Sequence, residues 1–247
     1  MSQESHNSQE QDGKRLGESL WSGVGSWIGY RGKTLWDLLA LFIVPLSLAL
    51  IALWFNNSQT NLDREIAEQR IQEDRSIAGD RRREEILQSY LGRMEYLILE
   101  KDLRTADSDS DVSIIGRAFT KTTLRELDGK RKGALLLFLY EAGLVDKDDP
   151  VIDLGKANFS GIVLFAPTLS GVNLNGVSLV SADLKEADFV GADLGSSFLQ
   201  NADLTDADLS GANLQDAVIS SEQLRQVKSL EGATMPDGTL YDGRYDE

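Results

Sequence analysis

The residues best placed to do chemistry in this chain are aspartates that recur at a fixed interval. Asp183, Asp188 and Asp193 lie five residues apart, and Asp203 and Asp208 continue the series. Clustered carboxylates could hold a cation or act as a general acid and base. They could also be solvated side chains that accept hydrogen bonds from turns. We favour turns, because the same residue recurs in most units whereas a reactive site is singular.

Other reactive groups are scarce. The chain has no Cys, and its single histidine, His6, lies in a polar N-terminal tail. Histidine-based catalysis, zinc binding and thiolate chemistry are therefore not expected, and we find no phosphate-binding loop. We predict no catalytic, cofactor-binding or metal-binding residues, no cofactor and no enzymatic activity.

The net charge of −15 is unevenly distributed. Residues 151–247 hold 15 acidic and 5 basic side chains, whereas residues 1–150 hold 25 acidic and 20 basic ones. The C-terminal part should repel the phosphates of nucleic acid and attract a basic protein surface. We therefore predict an unidentified protein partner and no nucleic acid.

The acidic part has an internal repeat with a period of five. An aliphatic or Phe residue stands at every fifth position from Leu154 to Ile219, fourteen times in succession, which matches neither a helix nor a strand. A typical unit begins Ala202-Asp203-Leu204, and residues two apart in an extended segment point to the same side. Each unit thus turns one small and one large side chain inward and needs stacked neighbours to bury them.

These A-(D/N)-L-x-x units, from Ile152 to Ser221, resemble those of the pentapeptide repeat family, most closely at 182–216. The resemblance implies a right-handed quadrilateral β-helix with four units per coil. The pattern is imperfect where Val163, Pro167, Thr168 and Phe198 replace the usual small or Asp/Asn residue. The following tail resembles a segment that closes such repeats, with a capping helix at about 222–228.

A long apolar segment precedes the repeats. Leu38–Phe55 holds eighteen uncharged residues, interrupted by Pro45 and Ser47. A helix of this length can cross a hydrocarbon core of about 30 Å at about 1.5 Å per residue. Trp36 precedes it and Trp54 lies at its C-terminal end, as is typical of a transmembrane helix. We predict that residues 35–55 span a lipid bilayer, and that Pro45 kinks the helix.

The charges beside this segment weakly favour one orientation. Arg64, Arg70 and Arg75 follow it, whereas Arg31 and Lys33 precede it. By the positive-inside rule the C-terminal side is cytoplasmic. We predict a single-pass protein of a bacterial plasma or thylakoid membrane.

The predicted fold class is α plus β-solenoid, with six segments. The first, 1–34, is polar and amphipathic, and it either lies on the bilayer surface or is an unstructured lead-in. The others are a transmembrane helix at 35–55, a helical stalk at 56–83, a helical module at 84–149, a β-helix at 150–221, and a cap and tail at 222–247. The stalk permits self-association as a coiled coil, although its early part lacks clean heptads. Within the module we predict helices at about 112–127 and 130–142.

These features predict a non-enzymatic, membrane-anchored protein whose repeat domain is an interaction or scaffold surface. The order of segments resembles a recurring bacterial arrangement, especially among cyanobacteria. The alternative is an acidic mimic of DNA that regulates a topoisomerase, as some members of the family do. The short repeat array and the membrane anchor argue against that alternative.

The inward position of the repeated Leu is testable by substitution. Leu204→Asp should unfold the repeat domain, because a buried unpaired charge costs far more than the domain can lose. Gln215→Asp, at the predicted outward neighbour of Leu214 in another unit, is the control. Circular dichroism and thermal melting of the full-length chain should show the loss for Leu204→Asp alone. Equal melting of the two variants would contradict the assignment.

Overall fold

The computed structural model describes residues 35–243. The segment predicted at 1–34, with its choice between a surface helix and a lead-in, lies outside this range, as do the last four residues. By packing, the chain divides into two compact units, Met1–Glu73 and Asp74–Glu247.

A single helix, α1, runs from Leu35 to Glu100 over 66 residues. The predicted membrane segment, stalk and first helix of the module are therefore parts of one helix, which continues through Pro45. Every side chain from 41 to 55 is exposed. Within the described part of the chain, α1 is the one helix long and apolar enough to cross a membrane, judged by length and composition.

The helical module begins where α1 first buries side chains. Leu87, Tyr90, Met94 and Leu97 are buried at intervals of three or four residues, as on the packed face of an amphipathic helix. A 3₁₀ turn at Leu103–Thr105, helix α2 at Asp111–Thr123 and helix α3 at Gly129–Glu141 complete the module. These bounds agree with the two predicted helices, except that α2 ends earlier.

Side-chain caps and one glycine set the ends of these helices. The Ser110 hydroxyl accepts a hydrogen bond from the Ser113 N–H at 3.3 Å at the start of α2, and Asp128 caps α3 in the same way. After Thr123 the chain tightens into turns that bury Leu124 and Leu127. Gly143 follows α3 with a φ of 69°, the left-handed conformation that ends helices.

Polar contacts attach α1 to the rest of the module. The Arg131 guanidinium on α3 lies 3.0 Å from carboxylate oxygens of both Asp80 and Glu84 on α1. In the core, the Tyr90 hydroxyl and the Thr120 hydroxyl are hydrogen-bonded at 2.8 Å. Burial raises the pKa of Tyr90 above its ordinary value of 10.0, so the hydroxyl remains protonated.

The repeat units wind into a coil that returns to the same side after every fourth unit. Parallel β-bridges join Asn158 to Ser178, Asp183 to Asp203 and Phe198 to Val218, among others. The two members of each pair stand at the same position of units that are four apart, so each coil has four sides. Each side contributes one bridged residue rather than an extended strand, because the chain turns again after every unit.

The inside of the coil is filled as the sequence predicts. The repeated Leu and Phe residues from Leu154 to Leu214 are buried, and so are the small residues two positions earlier, such as Ala187 and Ala207. One continuous apolar cluster runs from Leu87 in α1 to Ala233 near the end of the coil. The helical module and the repeats therefore share a single core.

The corners depend on a backbone conformation that sequence reasoning did not anticipate. The residue two positions after each buried centre has a positive φ, for example 68° at Gly161, 56° at Glu186 and 59° at Asp206. Only glycine adopts this conformation without steric cost, and Asn and Asp tolerate it better than other residues. This explains why Gly, Asn and Asp are frequent at the position.

The imperfect units at 162–181 keep the coil intact. Val163 and Thr168 still bridge to Asp183 and Asp188. Pro167 occupies a position whose N–H elsewhere bonds within its own turn, as from Ala182 to Leu179. Because proline has no N–H, this local hydrogen bond is missing at Pro167. The Pro167 carbonyl still accepts a hydrogen bond from the Asp188 N–H in the next coil, at 2.9 Å.

The C-terminal helix is placed differently from the prediction. Helix α4, Ser221–Arg225, occupies one side of the fourth coil, but the coil does not end there. Asp208 bridges to Ser229 and Asn213 to Thr234, and each of these pairs is one residue further apart in sequence than the pairs before α4. The bridges thus extend past the predicted boundary at 221, and an antiparallel bridge from Thr234 to Leu240 follows.

The helical module covers the open edge of the first coil. Between coils, the carbonyl one residue after a buried centre usually accepts an N–H from the preceding coil, as the Val180 carbonyl accepts the Gly161 N–H. The first coil has no predecessor, and side chains of α2 and α3 donate instead. They are Lys121 to the Gly155 carbonyl at 2.7 Å, Lys132 to Ser160 at 3.4 Å and Tyr140 to Ser170 at 3.0 Å.

The close approach of α3 to the coil gives a specific prediction. A Cβ at Gly129 would overlap the carbonyl oxygen of Gly161, whereas one at Gly92 on α1 meets nothing within 4 Å. Gly129→Ala should lower the free energy of unfolding by about 1–3 kcal/mol through overpacking. Gly92→Ala should raise it by about 1 kcal/mol through helix propensity. Denaturant unfolding measures both, and a neutral Gly129→Ala would contradict the docking of α3.

Candidate functional site

The five spaced aspartates lie on three sides of the coil rather than in one cluster. The bridges place Asp183 beside Asp203 on one side and Asp188 beside Asp208 on another, while Asp193 is on a third. The array therefore does not converge on a point where a substrate or ion would meet several carboxylates.

Each of these side chains has a local structural partner. Four of the five accept a hydrogen bond from the backbone N–H two residues further on, at 2.9–3.1 Å. They are Asp188, Asp193, Asp203 and Asp208. Asn158, Asn173 and Asn213 make the same contact in their own units. This turn explains why the position before the buried centre is Asp or Asn.

Lysines pair with some of the stacked carboxylates. The Lys185 ammonium is 3.3 Å from Asp183 and 2.9 Å from Asp203, and Lys228 is 3.1 Å from Asp208. Hydrogen bonds from Thr205 and then from Lys185 lower the pKa of Asp203, and the bond to Asp203 contributes most to raising the pKa of Lys185. Repulsion between carboxylates one coil apart is thereby reduced.

The arrangement is poorly suited to a divalent cation. In the described residues 35–243, no group of three or more His, Asp or Glu side chains could hold a metal ion. Lys185 lies between Asp183 and Asp203, where an ion would have to enter. The geometry supports binding of a surface by charge and shape rather than reaction at a point.

The side that carries Asp193 is covered by an amide ladder. The side-chain amides of Asn175 and Asn213 donate to the Asp193 carboxylate at 3.2 and 2.9 Å. They enclose Gly195, where a Cβ would lie 2.8 Å from the Asn175 amide nitrogen. The polar groups on this side of the coil are therefore largely paired with one another.

The fourth side has no charge. We call it the neutral face, and it consists of residues 157–161, 177–181, 197–201 and 217–221. Phe198 and Val218, bridged to each other, are 45% and 42% exposed. Sequence reasoning noted Phe198 as a departure but missed this face. Grouping the units four apart in sequence and comparing the charges of the four groups would have found this face.

Comparison with known proteins bears directly on the repeats. The family model described as pentapeptide repeats (8 copies) matches residues 157–195 and 182–220. Rfr23, a pentapeptide repeat protein from the cyanobacterium Cyanothece 51142, is 34% identical over 39% of this chain and 68% of its own, with a TM-score of 0.27. The chain belongs to the pentapeptide repeat family.

Two further solved pentapeptide repeat proteins are similar to this chain. One, from the thylakoid lumen of Arabidopsis thaliana, is 29% identical over 36% of this chain and 69% of its own, with a TM-score of 0.24. The other, from Nostoc Pcc 7120, is 29% identical over 45% of this chain and 87% of its own, with a TM-score of 0.27. A search of curated proteins gives no match.

Family membership confirms the resemblance seen in the sequence. Pentapeptide repeats imply a right-handed quadrilateral β-helix, and the four units per coil of this pentapeptide repeat protein agree with that architecture. The family model matches the repeats alone, so the helices before them are argued from their own residues.

The lowered pKa of Asp203 predicts how its charge contributes to stability. A carboxyl whose pKa is lower in the folded state stabilises that state above the ordinary value of 3.8, and the contribution is lost as pH falls through the folded-state pKa. Asp203→Asn keeps the turn but removes the charge. The variant should therefore melt below the wild type near neutral pH and converge with it in strong acid, where Asp203 is protonated.

Thermal melting followed by circular dichroism between neutral and strongly acidic pH measures this difference. Asp206→Asn is the matched control, because it removes the same charge from a corner of the same unit and leaves the Lys185 contacts in place. A difference in melting temperature between Asp203→Asn and the wild type that stays the same at every pH would contradict the role given to Asp203.

Proposed function

We propose that this pentapeptide repeat protein is a non-enzymatic, single-pass membrane protein whose repeat domain presents a surface to another protein. Residues 35–55 span the bilayer, 56–83 form the stalk, and the module with the coil forms the body. The observation that carries the anchoring is the uncovered apolar surface of α1.

The exposure of that segment is large. Phe42, Leu46, Leu53 and Trp54 are 69%, 62%, 65% and 71% exposed. In water a contiguous apolar surface of this kind favours association or aggregation, whereas in a bilayer it is solvated by lipid chains. A lipid environment is therefore the simplest partner for residues 35–55.

The repeat domain supports an interaction role through its rigidity. The backbone of each unit is fixed by hydrogen bonds to the coils above and below. In one unit, the Asp188 N–H donates to the Pro167 carbonyl of the preceding coil and the Phe189 N–H donates to the Asp208 carbonyl of the following coil. Repeat architectures of this type present extended surfaces to partners. A protein partner with basic groups fits the three acidic sides.

The sequence supports one location and one orientation over the others. We propose a bacterial plasma or thylakoid membrane, with the coil on the cytoplasmic side because more arginines follow the span than precede it. The stalk isoleucines Ile66, Ile71 and Ile77 are 39%, 49% and 49% exposed. Their spacing is not heptad-like, so a coiled-coil contact through the stalk stays a prediction.

The alternative, an acidic mimic of DNA that regulates a topoisomerase, has less support. Such a mimic needs continuous rows of carboxylates in place of phosphates. Here Lys185 and Lys228 interrupt the rows, and one side has no charge. The anchored interaction surface is therefore the function that we propose.

Charged substitutions in α1 test the anchor. Leu46→Arg with Leu50→Arg should abolish membrane insertion, since each arginine near the centre of a span costs roughly 2.5–3.5 kcal/mol. Ile66→Arg with Ile71→Arg is the matched control, because these are also exposed apolar residues of α1. Vesicle flotation after alkaline carbonate washing is the measurement. Equal flotation of both double variants would overturn the anchor.

Cross-linking in native membranes, followed by mass spectrometry of what is joined to the coil, tests the interaction role. We expect one reproducible protein whose recovery is reduced when acidic coil residues are replaced. Recovery of topoisomerase subunits would instead favour the alternative, and recovery of no protein under any condition would contradict the interaction role.

A further inference from the structure

The four sides of the coil differ sharply in charge. Among the described units between 152 and 237, three sides carry Asp or Glu together with a few lysines, whereas the neutral face includes no charged side chain. In a chain with 26% charged residues, this separation places one uncharged surface along the height of the coil.

The neutral face has an apolar stripe at its centre. Phe198 takes the place where most units have Asp or Asn, and it lies beside Val218 in the next coil. Asp at that place gains a turn hydrogen bond in other units, as between Asp208 and the Ser210 N–H at 3.1 Å. The coil itself therefore does not require a 45% exposed aromatic ring there.

We propose that the neutral face is a self-association surface, on which the stripe Ser178, Phe198 and Val218 of one copy packs against the same stripe of a second copy. An isologous contact of this kind needs a surface that is complementary to itself. An uncharged stripe satisfies that condition, because neither copy brings a charge against its partner.

The charge of the chain favours a second copy over other occupants. On the other three sides, two copies would bring carboxylates such as Asp188, Asp193 and Asp203 together, and like charges repel. A basic partner would be attracted to those same sides and not to the neutral face. The neutral face fits a partner that is itself uncharged and apolar, which a second neutral face is.

The neutral face is small, so the contact depends on how the two copies are held together. Four coils at about 4.8 Å give a height of about 19 Å, and one unit spans at most about 16 Å. The area, roughly 300 Å² per copy, is well below the roughly 800 Å² per partner of a stable interface. The contact therefore needs the high local concentration that tethering supplies, and in this respect it rests on the proposed membrane anchor.

Cysteine cross-linking tests the contact cleanly, because the chain has no Cys of its own. Full-length Val218→Cys is placed in vesicles and treated with a short bifunctional maleimide. Val190→Cys is the matched control, being the same residue with the same 42% exposure on another side. We expect dimers to form several-fold faster with Val218→Cys. Equal rates would overturn the proposal.

A charge on the face should abolish the effect. Phe198→Asp restores the residue type that neighbouring units carry, so the coil should fold as before, and Ser178→Asp serves as a second variant at the same position of another coil. Either one, combined with Val218→Cys, should reduce cross-linking to the Val190→Cys level. Undiminished cross-linking in variants with wild-type melting would overturn the proposal, as would joining of Val218→Cys to a different protein in native membranes.

The same samples separate the two proposals. Vesicle flotation reports whether the chain is anchored, and cross-linking reports whether copies meet through the neutral face. Chains that float but do not cross-link contradict the self-association surface alone. Chains that do not float contradict the anchor.

Discussion

The hydrogen bond between successive coils is the interaction on which the rest of the repeat domain depends. No coil fully satisfies its own backbone, so each edge must find donors and acceptors elsewhere. At the first coil, Lys121, Lys132 and Tyr140 replace the missing N–H groups. Near the other end, the Gln223 amide donates to the carbonyls of Leu199 and Ala202 at 2.6 and 2.8 Å. The helices therefore complete the coil.

Much of this architecture could be read from the sequence. The fivefold period identifies the buried positions, since a regular Leu or Phe such as Leu204 has no reason to recur unless it is packed. The apolar segment 38–55 and the two helices of the module could also be predicted from the sequence. The number of units per coil could not, because the fivefold pattern would be the same for any number of units in a coil. That number came from family resemblance and is seen here in the four-unit spacing of the bridges.

What could not be predicted depends on contacts between distant residues. The fourth coil continues through Ser229 and Thr234 after a helix has shifted the spacing by one residue, so a search for a strict period ends too early. The corner conformation at Glu186 or Asp206 is set by the turn rather than by residue type. The neutral face exists only once Phe198 and Val218 are brought together. A linear reading treats them as two unrelated exceptions.

The four-sided coil gives insertions and deletions of different lengths different consequences. Loss of a single unit between Ser178 and Phe198, such as residues 182–186, would leave each buried position filled by the same kind of side chain. Every later unit would move back by one side, so that Phe198 would lie over Asn173 instead of Ser178. Loss of four units would shorten the coil and leave the sides unchanged. Evolution can therefore rearrange the surface of such a coil without altering its core, by duplicating or losing single units.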